Sequence, residues 1–180
     1  MNIHYCNNKC CNYKIIPYKK ILPIQYQKYK EIKIRKAGSF IYDSISKKIL
    51  LVQSRGQMWG CPKGTIKESE EHLECAIREV KEETGIEIDE KSLSDFIIIN
   101  SKVKYYFLEM KEIQVHIQSH IIDNDANGIG WFNIHCLESL VKQGIININQ
   151  HCRILVKKIF NKDIPFNKEN TSEIKKRLIT

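Results

Sequence analysis

Gly64 to Ile86 reads GTIKESEEHLECAIREVKEETGI, and the rest of the chain is best read outward from it. Its skeleton is Gly64, Glu70, Arg78-Glu79-Val80, Glu82-Glu83 and Gly85-Ile86. Leu73, Ala76, Ile77 and Val80 recur at i, i+3, i+4 and i+7, the apolar stripe of an amphipathic helix expected over residues 69–84. Gly85 stops it. On such a helix Glu79, Glu82 and Glu83 share one face, to the side of the apolar stripe. Like charges at this spacing cost a few tenths of a kcal/mol per pair unless something positive lies between them. Arg78 and Lys81 offset part of that repulsion, and a hard divalent cation that prefers oxygen ligands, Mg2+ or Mn2+, is the natural remainder. An acidic solvated face would explain an isolated E-x-x-E-E. It does not explain both glycines, Glu70 and Arg78 at fixed offsets, a coincidence expected about once in 10^9 starting points at ordinary residue frequencies.

Upstream, AGSFIYD (37–43) and KILLVQ (48–53) are β-rich runs joined by a short polar turn, and a second turn leads into WGCPKG (59–64). Downstream, apolar and aromatic runs at 96–99, 103–109 and 113–122 precede the turn-forming DNDANG and then GWFNI. Helical patterns follow near 136–143 and 149–160. Strands before, between and after helices predict a mixed sheet layered between helices. Residues 1–35 show no sustained period and read as an irregular or partly helical basic arm, 36–160 as the domain, and 161–180 as a polar tail with a short helix possible in SEIKKRLI.

Apolar residues are 42% of the 180 and charged ones 28%, the composition of a globular protein rather than a disordered or fibrous one. No window approaches the ~20 uninterrupted apolar residues of a membrane span, and the first residues lack the apolar stretch of a signal peptide. A cytoplasmic protein is expected, in a host's cytoplasm if the source is viral, acting as a monomer or dimer without a membrane partner. The net charge of +8 is concentrated: residues 1–36 hold nine Lys or Arg against Glu31 alone, and the remainder balances to zero. A basic lead segment on a neutral domain suggests a polyanionic partner such as nucleic acid, against the alternative of a solvated surface.

Seven cysteines are present. Cys6, Cys10 and Cys11 lie close to His4, and His135-Cys136 or His151-Cys152 could complete a zinc site. The spacing is C-x3-C-C rather than C-x2-C, and adjacent cysteines are awkward to aim at one tetrahedral ion, so free thiols are the expectation.

At every specified position the 64–86 segment matches the Nudix box, G-x5-E-x7-R-E-U-x-E-E-x-G-U with U apolar, and weaker similarity extends over roughly 36–143. The resemblance implies an α/β/α sandwich with a mixed central sheet, in which the box forms a loop-helix-loop holding Mg2+ or Mn2+. Carried over residue by residue, Glu79 and Glu83 become the principal metal ligands, with Glu82 behind them and the Gly64 carbonyl contributing. Arg78 would orient the carboxylates, and Glu70 would serve the helix start and water shell. Decapping members add a carboxylate six residues before a tryptophan; counting back from Trp131 reaches Asp125, with Asp123 and Glu112 as competitors.

The lead-in resembles W-x-F-P-[RK]-G-K of mRNA-decapping enzymes and W-x-x-P-K-G of dinucleoside tetraphosphate hydrolases, not the triple-glycine form of diphosphoinositol polyphosphate hydrolases. On that resemblance Lys63 and Trp59 are candidate substrate contacts, although Trp59 could equally be core and Lys63 an ordinary turn lysine. The expected reaction is hydrolysis of the mRNA 5' cap to release 7-methyl-GDP, with capped RNA held by the basic arm and bases stacked on Tyr26, Tyr29, Tyr105 or Tyr106. The alternatives are a hydrolase of dinucleoside tetraphosphates or other small nucleotides or of diphosphoinositol polyphosphates, and more remotely a non-catalytic nucleotide-binding regulator.

Overall fold

A computed structural model describes residues 3–16, 34–54, 57–121 and 124–164. The strands are β1 (Ile3–Tyr5), β2 (Asn12–Ile15), β3 (Lys36–Asp43), β4 (Lys48–Ser54), β5 (Met58–Gly60), β6 (Lys63–Thr65), β7 (Phe96–Ile99), β8 (Val103–Glu109), β9 (Ala126–Asn133) and β10 (Asn147–Ile148). The helices are α1 (His72–Thr84), α2 (Ile134–Lys142) and α3 (Gln150–Phe160), with a 3-10 turn at Glu90–Ser92. The main sheet runs β1-β2-β9-β4-β3-β8-β7. It is mixed, because β3 pairs parallel with β8 while β4 pairs antiparallel with β9.

The helices form two outer layers, and the apolar clusters show which face each covers. Cys75, Ala76 and Val80 of α1 pack with Ala37, Ile41, Leu50 and Trp131 on one face of the sheet. Leu137, Leu140 and Val141 of α2 and Leu155 and Val156 of α3 pack with Phe40, Leu51 and Phe132 on the other. Side chains alternate across a strand, so Ile41 and Phe40, or Leu50 and Leu51, feed opposite cores. The sheet is thereby covered on both faces, the α/β/α architecture.

One irregularity of the sheet positions the Gly64–Ile86 segment. β3 and β4 pair only at Tyr42↔Ile49 and Asp43↔Lys48 and then diverge. β6 takes the vacated edge, with Lys36↔Thr65, Ala37↔Gly64 and Gly38↔Lys63. Lys63 and Gly64 are thus locked to the sheet directly beside α1. At its other end α1 closes on Gly85, whose φ of 77° is left-handed and whose N–H reaches the Lys81 carbonyl, a conformation that glycine adopts without the Cβ penalty.

Two expectations are corrected here. Residues 3–16 are not an irregular arm: β1 and β2 form an antiparallel hairpin, and β2 pairs with β9 from Asn12↔Trp131 to Ile15↔Gly128. The sheet therefore starts well before residue 36. Ile16 continues the attachment by donating its N–H to the Asn127 carbonyl at 2.7 Å. The rest of the expected arm, 17–33, lies outside the described residues, as does the expected tail helix in 172–179. The second correction concerns 113–122, which forms no strand among its described residues. Val115 and Ile117 are buried alternately against Val80 and Trp131, and the Ile113 carbonyl accepts the Trp131 indole N–H at 2.9 Å. The alternation there reports which side chains are buried, and the backbone pairs with nothing in the sheet.

Candidate active site

The carboxylates of α1 are held from behind by one guanidinium. Arg78 donates Nε and Nη2 to the two oxygens of Glu70, at 2.6 and 2.9 Å, and Nη1 to Glu79 at 2.7 Å and to Glu82 at 2.8 Å. Its second Nη2 contact is the Thr65 carbonyl, 3.1 Å away. A planar fork satisfied on every side fixes direction as well as charge. Glu70 also accepts the Lys67 N–H at 2.8 Å, so it ties the loop to Arg78. The helix start belongs instead to Glu71, whose N–H is met by Glu74 at 3.0 Å.

Glu83 lies on the neighbouring part of the face and is 5% exposed. Its carboxylate accepts the backbone N–H of Lys63 at 2.9 Å, which explains why the splayed β6 matters. Glu79 packs against Gly64 so closely that a Cβ there would overlap its carboxylate. Burial drives the Glu83 carboxyl up to about 8; the Lys63 charge opposes this while Glu79 and Asp125 reinforce it. Glu79 is shifted upward too, by burial first, with Arg78 opposing and Glu82 and Asp125 reinforcing. Asp125 is therefore electrostatically part of the cluster. The five carboxyls Glu70, Glu79, Glu82, Glu83 and Asp125 outnumber the cations Arg78, Lys63 and Lys67 around them, and every donor is a hard oxygen. That set suits a divalent cation of the Mg2+ or Mn2+ type.

Other sequence candidates lie elsewhere. Glu112 is tied to Lys48 at 2.6 Å and to Asn12 at 3.1 Å, and its N–H meets Asp43. Asp43 ends β3 five residues beyond Gly38, roughly 17 Å along the strand from the carboxylate cluster. Glu112 is thus remote from it. Asp123 lies outside the described residues. Trp59 is 1% exposed and packs edge-on to Tyr13 and Phe132, with ring centroids 5.7 and 4.9 Å away; it is core, and the substrate-contact expectation is corrected. Tyr105 and Tyr106 are buried as well, which removes them as stacking platforms, while Tyr26 and Tyr29 are outside the described residues. Lys63 does line a cleft of about 260 Å³ with Ser54, Met58, Asn149, Gln150 and His151. Burial, and then the charges of Lys63, Lys36 and Lys102, push the His151 imidazole below its ordinary pKa.

Sequence reasoning passed over Asn124. Its Nδ2 donates to the Glu82 carbonyl at 2.7 Å and to the Gln118 carbonyl at 3.1 Å, and its Oδ1 accepts the Ala126 N–H at 2.9 Å. This one side chain clamps the segment bearing Asp125 onto α1. The signal was an asparagine within DNDANG, legible only as turn chemistry.

A mixed sheet between helix layers thus carries a loop-helix-loop that aims carboxylates past a glycine, a set of hard oxygen donors suited to a divalent cation. The profile of the NUDIX domain matches residues 33–149, and the chain belongs to the Nudix hydrolases, a family that uses divalent metal ions and cleaves pyrophosphate bonds. The chain is 33% identical over 138 residues to the 111R protein of Invertebrate iridescent virus 3, covering 76% of this chain and 80% of that protein. It is 31% identical over 146 residues to the mRNA-decapping protein g5R of African swine fever virus (isolate Pig/Kenya/KEN-50/1950), covering 69% of this chain and 56% of that one. The chain thus spans little more than half of g5R. Among solved structures, an Ap4A hydrolase of C. elegans in a binary complex superposes with a TM-score of 0.52 at 21% identity, covering 71% of this chain and 96% of that one; the likeness is one of fold.

Proposed function

We propose that this Nudix hydrolase removes the 5' cap of RNA in the cytoplasm, releasing 7-methyl-GDP and leaving a 5'-monophosphate end. The observation that carries the substrate is the similarity to g5R, an mRNA-decapping protein, across 69% of this chain. The nine basic residues within 1–36 support the same reading, since a small nucleotide does not require them.

Glu79, Glu83 and the Gly64 carbonyl would hold Mg2+ or Mn2+, with Glu82 behind them. Such an ion neutralises the diphosphate and lowers the pKa of the attacking water. The chain's own residues do the rest. Arg78 keeps Glu79 and Glu82 at a fixed orientation, so little reorganisation accompanies substrate entry. The Lys63 ammonium faces the phosphate oxygens from the cleft it lines, while its N–H holds Glu83 in place. Asp125, clamped by Asn124, accepts the proton of the water.

The test is a side-by-side panel of capped RNA, free cap analogue, diadenosine tetraphosphate and diphosphoinositol pentakisphosphate. Release of 7-methyl-GDP from capped RNA should dominate and fall steeply as salt rises. Replacing Lys19, Lys20, Lys28, Lys30 and Lys33 with glutamine should weaken long capped RNA more than a short capped fragment; deleting the N-terminus is unsuitable because β1 and β2 belong to the sheet. Efficient cleavage of the small molecules without release from capped RNA would defeat the decapping assignment and leave the family unaffected.

A further inference from the structure

On the sheet edge built by β1 and β2, four thiols from two distant parts of the chain converge. Cys6 follows β1, Cys10 and Cys11 follow the hairpin turn, and Cys136 arrives in the first turn of α2. Their Sγ atoms all lie within 4.8 Å of one another. Cys10 sits 3.2 Å from Cys136, 3.5 Å from Cys6 and 3.8 Å from Cys11. Four thiolates around one zinc at about 2.3 Å in tetrahedral array stand about 3.8 Å apart. The Cys10 separations run from 3.2 Å up to 3.8 Å.

We infer that Cys6, Cys10, Cys11 and Cys136 form a structural zinc site, separate from the catalytic carboxylates, that fastens the N-terminal hairpin to α2. The adjacency of Cys10 and Cys11, which argued against a site in the linear sequence, is resolved by the turn. Lys9 is left-handed, with φ 54°, and its N–H returns to the Cys6 carbonyl at 2.8 Å. His4, the other local candidate, is not in the cluster; it stacks on Tyr13 at 5.3 Å.

Nitrogen donors reach two of the sulfurs. The Asn133 N–H points at Cys11 Sγ from 3.2 Å, and Asn8 Nδ2 lies 3.9 Å from Cys136 Sγ; donors to ligand sulfurs of this kind orient them and temper their charge. Cys136 occupies the third position of a nine-residue helix whose cap is Asn133, where the unpaired N–H groups favour a negative sulfur. Cys6, Cys11 and Cys136 are at most 9% exposed, and no fifth ligand is needed. Binding would expel the four thiol protons to solvent. The physical need is plain: strands of three and four residues make a hairpin that is marginal by itself, and one ion would close a loop across 126 positions of sequence.

The experiment is elemental analysis of full-length protein purified without chelators, with cobalt substitution as a second reading. One zinc per chain is expected, and the cobalt form should show the intense sulfur-to-metal charge-transfer and ligand-field bands of a tetrahedral four-sulfur site. Cys136→Ser should lose that zinc, while Cys152→Ala and Glu83→Gln retain it. Less than a tenth of a zinc per chain, or a Cys10–Cys136 disulfide found by mass spectrometry of the freshly purified protein, overturns the proposal. So does zinc that survives Cys136→Ser or a cobalt spectrum of oxygen-rich coordination, either of which places the ion elsewhere.

Discussion

The carboxylate cluster on α1 and the thiol cluster on the β1–β2 hairpin are both groups of potential anions, and they are assembled in opposite ways. Glu79, Glu82, Glu83 and Arg78 come from six consecutive residues, and helical periodicity alone places them together. Cys10 and Cys136 meet across 126 positions of sequence, through the pairing of β2 with β9 and the turn from β9 into α2. The first arrangement gathers its carboxylates within one helix, and the fold adds the contacts of Lys63, Thr65 and Glu70 around them. The second exists only once the sheet is complete. Local encoding suits hard, charged oxygen chemistry that must be reproduced with little variation; distributed encoding suits a fastening whose purpose is to join distant parts.

The sharpest way to break this contrast is to remove charge from the local cluster. Glu83→Gln should lower turnover by roughly a thousandfold or more, since the charge of a proposed metal ligand is lost, yet melt no lower than the parent, because a buried carboxyl of raised pKa becomes neutral. Substantial activity would remove the site, and a collapsed melting temperature would show that the cluster holds the fold together. Asp125→Asn should act on rate alone, by on the order of a hundredfold if it is the base. An unchanged rate would return Asp125 to an ordinary turn residue.

A residue far from both clusters calibrates the comparison. Asp43 is buried and accepts N–H groups from Glu112, Ser46 and Ile45. The Glu112 N–H foremost, with burial opposing and the Ser46 and Ile45 contacts adding, holds its carboxyl down to about 2 from an ordinary 3.8. A depressed folded-state pKa contributes stability that is complete above pH ~4 and lost as pH falls toward 2. Asp43→Asn should therefore cost about 2 kcal/mol at neutral pH and flatten the acid limb of a urea-denaturation series, with kcat unchanged. The smallest effect is expected from Gly64→Ala, roughly tenfold in kcat, because the added methyl displaces Glu79 from Arg78 while the end of that side chain can yield. Equal activity would mean that the close approach of Gly64 to Glu79 is not what aims the carboxylate.

Legibility followed the same division. The 96–99 and 103–109 runs became β7 and β8 with those limits, and α1 formed where the apolar stripe lay, starting three residues later. The catalytic helix was readable because its chemistry and its periodicity lie in one window. The hairpin at 3–15 was not: strands of three and four residues around a turn rich in Cys and Asn have no period to detect, and β9, on which β2 pairs, is more than a hundred residues away. The 113–122 run misled because a buried alternating segment has the same pattern whether or not its backbone pairs. Trp59 illustrates the limit of motif reasoning, since the ring that looks like a substrate contact in W-G-C-P-K-G is turned into the core against Phe132.

The two ends of the basic stretch are both fastened beside the carboxylate cluster. Ile16 is bonded to Asn127, two residues from Asp125, and Lys36 is paired with Thr65, next to Gly64. Lys19, Lys20, Lys28, Lys30 and Lys33 each fall within eight residues of one of these anchors. At no more than about 3.5 Å per residue, none can stray more than roughly 30 Å from its anchor. On the decapping reading proposed above, the nucleotides next to the cleaved diphosphate are the part of an RNA that lies within that distance of both anchors.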